Sequence, residues 1–128
     1  MRILLDTHAL LWMNDTSDRL SATAASAILD VRNDLLLSVA SWWEIAIKIS
    51  LGKLDLKPEW PTALKREMNH NGITWLPVRP EHCERIPQLP FHHRDPFDRI
   101  LIAQAQHEDL VIITSDQCFV SYGVTVIW

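Results

Sequence analysis

Asp6, Glu44, Asp98 and Asp116 stand in four separate segments, each tied to the end of a short apolar run or the start of a helical one. Asp6 follows Ile3-Leu4-Leu5 directly, and Leu35-Leu36-Leu37 leads through Ser38 into a helical segment carrying Glu44. Leu110-Val111-Ile112-Ile113 ends in Thr114-Ser115-Asp116, while Asp98 falls in the first helical turn after His92-His93-Arg94-Asp95-Pro96. In an open parallel sheet, ligands bind beyond the carboxyl ends of the strands, so this placement directs all four carboxylates to one edge. Like charges gathered there repel unless a cation lies between them. Carboxylate oxygens are hard ligands, which favours Mg²⁺ or Mn²⁺ over zinc, and no EF-hand loop points to calcium. Such a site suits phosphodiester hydrolysis: one ion generates hydroxide from bound water, and the same ion or a second about 4 Å away stabilises the leaving oxygen.

Taken singly, each acid has a plainer reading. Asp6, Asp95 and Asp116 can cap the helices that follow them, and Asp98 can interact with a helix dipole. Glu44 lies in Ser41-Trp42-Trp43-Glu44-Ile45-Ala46-Ile47-Lys48-Ile49, apolar around most of its circumference, where an ionised carboxylate needs a partner. Lys48, four residues on, offers a solvent-facing pair. The joint pattern is harder to explain without a metal.

Elements that would position these acids follow from the apolar periods. Short apolar runs at 3–5, 35–37, 73–76, 110–113 and 124–127 read as strands buried on both faces. Helical segments are expected at 22–32 after a Ser21 cap, 41–51 ending at Gly52, 61–70 stopping at Asn71-Gly72, and 96–107 after Asp95. Alternation of strand and helix implies an α/β/α sandwich with a central parallel sheet of about five strands. No repeat or charge block divides the chain, so residues 1–128 are expected to form one domain.

Composition limits the alternatives. With 48% hydrophobic and 22% charged residues, only 3 Gly and 7 Pro, the chain is neither disordered nor collagenous. Cys83 and Cys118 stand far apart without a CxxC pair, arguing against a disulfide framework or a cysteine zinc site. The start of the chain has no signal-peptide apolar region, and no run approaches the roughly 18 residues of a membrane span. A soluble protein of a reducing cytoplasm is expected. The net charge of −4 argues mildly against a nucleic-acid partner, but two divalent cations held by the acids would cancel it.

The motifs Leu4-Leu5-Asp6-Thr7-His8, Ser41-Trp42-Trp43-Glu44-Ile45, Asp95-Pro96-Phe97-Asp98-Arg99-Ile100-Leu101-Ile102-Ala103-Gln104-Ala105 and Thr114-Ser115-Asp116, in that order, resemble those of PIN-domain nucleases. The likeness is greatest to the VapC toxins of bacterial toxin–antitoxin pairs and spans nearly the whole chain. It implies a magnesium-dependent endoribonuclease, a homodimer, a small antitoxin that blocks the site, and Asp6, Glu44, Asp98 and Asp116 as the acidic quartet. Asp95 is then a cap or a supporting acid, and Asp116 a ligand either direct or through water. Thr7 and Thr114 would orient carboxylates or water through their hydroxyls, with Ser41 doing the same or simply starting its helix.

Arg94, Arg99 and Lys48 are the candidate contacts to RNA phosphates, with Lys53 either a further one or a solvated surface charge. His8, His92 and His93 raise acid–base cleavage through the 2′-hydroxyl, or a zinc site, but no second set of His or Cys at ligand spacing accompanies them. Of six tryptophans, Trp12, Trp43 and Trp60 are the candidate anchors for a second copy or an antitoxin helix. A phosphatase using Asp6 as nucleophile would want a further acid close behind it, where Thr7-His8 stand. The competing reading is a non-catalytic module whose acidic site binds RNA or a partner.

Overall fold

The computed structural model describes residues 1–15 and 17–128, and the side chains of all of these except Ser17. Five strands, β1 (Arg2–Leu5), β2 (Asp34–Ser38), β3 (Thr74–Leu76), β4 (Val111–Ile113) and β5 (Val126–Ile127), form one sheet in the order β3-β2-β1-β4-β5. Every pairing is parallel, with Ile3, Leu4 and Leu5 of β1 opposite Leu35, Leu36 and Leu37 on one side and Val111, Ile112 and Ile113 on the other. The connecting helices are α1 (Thr7–Asn14), α2 (Ala22–Leu29), α3 (Val39–Ser50), α4 (Trp60–His70), α5 (Pro80–Arg85) and α6 (Pro96–Glu108). Short 3₁₀ turns lie at Ser17–Arg19, Ile86–Gln88 and Gln117–Tyr122.

Alternation along β1 divides the core, as the pleat requires. Ile3 and Leu5 pack with Leu10, Ile28, Ile45, Leu64 and Met68, drawn from α1 to α4. Leu4 faces the opposite layer with Leu101, Ile102, Phe119 and Tyr122, under α6 and the final 3₁₀ turn. Helices on both faces of a parallel sheet make the expected three-layer sandwich. Among the described residues, no helix is long and apolar enough to cross a membrane.

Several element ends differ from the sequence expectation for local reasons. The second long helix starts at Val39 rather than Ser41, because the Ser38 hydroxyl accepts the Ala40 N–H at 3.1 Å and caps it straight off β2. α2 stops at Leu29, where the Asp30 carboxylate folds the next turn by accepting the Arg32 N–H at 3.0 Å. α1 was anticipated only through Asp6 as a possible cap, and α5 was not expected. α1 is short, and its apolar residues form no clear stripe; α5 is a six-residue helix opened by Pro80.

Candidate functional site

Strand order reverses between β1 and β4, which opens a crevice beyond their carboxyl ends. Asp6 sits there, buried, at the N-cap position of α1, yet its side chain makes no cap hydrogen bond. Its carboxylate is therefore not spent on starting the helix. Instead Oδ2 accepts from the Thr114 hydroxyl at 2.8 Å, and the same Thr114 oxygen accepts the N–H of Asp116 at 3.1 Å. Burial pushes the Asp6 carboxyl above its ordinary range, opposed chiefly by that threonine bond.

Glu44 reaches the crevice from α3 and is only 3% exposed. Oε1 accepts from the Thr7 hydroxyl at 2.7 Å and Oε2 from the Lys48 ammonium at 2.8 Å. The Glu44–Lys48 pair therefore exists, but on a buried carboxylate rather than as a solvent-facing pair. Its hydrogen bond to Glu44 holds the Lys48 ammonium above its ordinary range. Lys48 is thus committed to a buried acid, which corrects the expectation that it is free for phosphate. Ser41 is buried, but its hydroxyl has no hydrogen-bond partner among the described residues, so it does not hold Glu44.

The third segment is α6. Asp95 caps it, Oδ1 accepting the N–H groups of Phe97 at 2.8 Å and Asp98 at 3.4 Å. That leaves Asp98, in the first turn, to face the other acids. Burial, and then the charges of Asp6 and Asp95, push the Asp98 carboxyl up to about 7, against the lowering effect of His93. Asp116 caps the last 3₁₀ turn through Oδ1, which accepts the Cys118 N–H at 2.9 Å. Its Oδ2 lies 2.9 Å from His93 Nε2, and the same nitrogen lies 2.9 Å from Asp98 Oδ2. His93, Asp98 and Asp116 form a tight cluster able to offer ligand atoms to one ion.

The structure thus brings Asp6, Glu44, Asp98 and Asp116 together, with Thr7, Thr114 and Asp95 bracing them. His93 is the site residue that sequence reading set aside. Its signal lay in its place two residues before a helix cap. Glu44 and Asp116 have both oxygens engaged by protein donors. Asp6 and Asp98 each keep Oδ1 without a side-chain donor among the described residues. A hard divalent cation fits this set of carboxylate oxygens.

Arg99 is not a phosphate contact. It is 5% exposed, and its guanidinium donates to the carbonyls of Pro90 at 2.9 Å and of Ile86, Leu89 and His93 at 3.2 Å each. A helix-borne arginine thereby ties down the 86–93 segment that turns over it. Arg94 and Lys53 remain exposed. A cleft of about 570 Å³ runs from Thr7 and Lys48 past His8, Trp12 and Arg19 to Lys53. A second groove, about 630 Å³ and lined by Val39, Trp43, Val78, Phe91, Phe97 and Ile100, is almost wholly apolar. Of the three tryptophans expected as anchors, Trp43 is the exposed one, at 62%. Trp12 instead packs on Trp128 at 5.5 Å and Trp60 on Trp42 at 5.0 Å.

Residues 3–124 match the PIN domain, and the chain belongs to that family. It is 28% identical over 119 residues to Ribonuclease VapC22 of Mycobacterium tuberculosis, covering 90% of this chain and 87% of the relative. Ribonuclease VapC16 of the same organism is 40% identical over 73 residues, which is 54% of this chain and 43% of that protein. In fold it is similar to a chain of the Rickettsia felis VapBC2 complex bound to a promoter DNA fragment, with TM-score 0.76, 12% identity, and 98% and 97% of the two chains covered.

Proposed function

We propose that this chain is a Mg²⁺- or Mn²⁺-dependent endoribonuclease and the toxin of a toxin–antitoxin pair. The observation that carries the reading is the meeting of Asp6, Glu44, Asp98 and Asp116 at the β1/β4 crevice of a PIN domain. Two relatives bear the name ribonuclease, which supports RNA as substrate. Asp6 and Asp98 would hold the cation, with Glu44 and Asp116, whose oxygens already accept protein hydrogen bonds, beside them. When bound, the ion supplies a hydroxide nucleophile near neutral pH and neutralises charge on the scissile phosphate.

The chain's own groups complete the chemistry. Thr114 and Thr7 hold Asp6 and Glu44 in fixed rotamers, so little reorganisation is needed as charge develops. Lys48 pairs with Glu44 Oε2 at 2.8 Å and fixes its position. Arg94 and Lys53 are the cations left exposed to flank the RNA backbone. Water attack leaves 5′-phosphate and 3′-hydroxyl ends, whereas 2′-hydroxyl attack would leave a cyclic phosphate. A cognate antitoxin blocks the site, in keeping with the toxin–antitoxin complex from Klebsiella pneumoniae that shares this fold. The Trp43–Phe97 groove is the face for a second copy.

The test is cleavage of end-labelled structured RNA with Mg²⁺ or Mn²⁺, with chelator, and by Asp98→Asn purified in parallel. Cutting lost in both controls, with 3′-hydroxyl products, supports the reading. Equal cutting by the variant, or a cyclic phosphate end, rejects it. RNA binding without metal-dependent cutting would leave a binding module.

A further inference from the structure

We propose that His93 is a positioning residue of this centre: its Nε2–H holds the Asp116 carboxylate while Asp98 Oδ2 lies 2.9 Å from the same nitrogen, and so the ring sets how these two acids face a cation. The inference rests on the metal reading above and concerns how the protein builds the site. Both nitrogens of the ring are committed. Nδ1 lies 3.2 Å from the backbone nitrogen of Asp95, whose N–H can only donate, so Nδ1 must present its lone pair. The ring's proton therefore resides on Nε2, 2.9 Å from both Asp98 Oδ2 and Asp116 Oδ2, with the hydrogen bond directed at Asp116.

This arrangement is the reverse of a metal-ligating histidine, which donates its second N–H to an acceptor and offers the other lone pair to the ion. Here the second nitrogen faces a donor. Ligation through Nε2 would move the proton to Nδ1, against the Asp95 N–H. Although His93 belongs to a cluster with two carboxylates, its imidazole serves as their donor and not as a third ligand.

The ring is held for that task from its backbone outward. The His93 N–H donates to the Tyr122 hydroxyl at 2.7 Å, and the His93 carbonyl accepts from buried Arg99 at 3.2 Å. Its ring meets the edge of the buried Phe119 ring at 5.9 Å between centroids. Asp116 accepts the His93 ring on Oδ2 and the Cys118 N–H on Oδ1, whereas Asp98, 2.9 Å from Nε2 but without that hydrogen bond, keeps more of its acceptor capacity for a cation. Removing the ring frees two like charges to move apart.

The experiment uses Mn²⁺ as a paramagnetic probe of the full chain labelled with ¹⁵N-histidine. Wild type should bind Mn²⁺ with no directly bonded ¹⁵N in its pulsed electron-spin-echo spectrum. His93→Ala should weaken Mn²⁺ binding by about tenfold or more and lower kcat rather than raise KM for RNA. His93→Gln, whose amide N–H reaches the Nε2 position, should restore Mn²⁺ affinity to within about threefold of wild type. A ¹⁵N ligand coupling in wild type would overturn the proposal while leaving the metal reading intact. So would unchanged Mn²⁺ affinity in His93→Ala, or a folded His93→Gln as impaired as the alanine variant. If wild type bound Mn²⁺ no better than Asp98→Asn, the metal reading itself would fall, and this inference with it.

Discussion

Thr114 donates its hydroxyl to Asp6 Oδ2 at 2.8 Å, joining residues 108 positions apart across the seam between β4 and β1. Both side chains are buried, so neither can turn to water for a replacement partner. Thr114→Val keeps the shape and removes the donor. Stability should fall by about 1–3 kcal/mol, read by urea unfolding, and Mg²⁺ affinity, read by calorimetric titration, should fall with it.

Asp98 sets a pH dependence. Its carboxyl is raised from the ordinary 3.8 to about 7, so the folded, metal-free protein holds this proton more tightly than the unfolded chain does. That contribution is full below about pH 4 and is lost as pH rises towards about 7. Chelated protein should lose part of its stability over this window. Asp98→Asn, which cannot ionise, should flatten that slope in thermal melts across the same range. A variant with the wild-type slope would count against the placement of Asp98 among the other acids.

Lys48→Met separates a structural ion pair from a phosphate contact. With the ammonium gone, Glu44 Oε2 is left buried without its partner, and the cost should be about 1–3 kcal/mol in chemical denaturation. The KM for RNA should stay within about twofold of wild type. A large rise in KM at unchanged stability would restore Lys48 to the substrate.

Arg99 and Arg94 are near neighbours with opposite expected outcomes. Arg99→Lys cannot hold four carbonyls with one ammonium, so it should lose more than about 1 kcal/mol by urea unfolding. Arg94→Ala, at an exposed position, should change stability by less than about 0.5 kcal/mol and weaken RNA binding in a salt-dependent way.

Trp43→Ser tests the apolar groove. The side chain is mostly exposed and meets Phe97 edge-on at 5.3 Å. The variant should melt close to wild type yet sediment as a monomer at concentrations where wild type self-associates. A wild type that is already monomeric would remove the case for a second copy on this face.

The strands and most helices were legible because burial on both faces leaves unbroken apolar runs, as at Ile3-Leu4-Leu5 and Leu110-Val111-Ile112-Ile113. The acids were legible for a related reason: they fall where those runs stop. Arg99 was misread because its chain neighbours are acids, whereas its actual partners are carbonyls of a segment that returns over it only in the folded chain. His93 was hidden because its hydrogen bond to Asp116 depends on the loop before α6 meeting the loop after β4, and no local pattern encodes that. Lys48 shows that a correct pairing can still carry the wrong solvent environment.

The strand order also has a temporal consequence. β1 is made first but lies at the centre of the sheet, and one of its two neighbours, β4, is separated from it by more than a hundred residues of chain. Asp6 therefore waits, during synthesis, for Thr114, and Asp98 waits for Asp116. A nascent chain ending before β4 lacks both Thr114 and Asp116, so the centre is completed only once β4 and the residues just after it have been made.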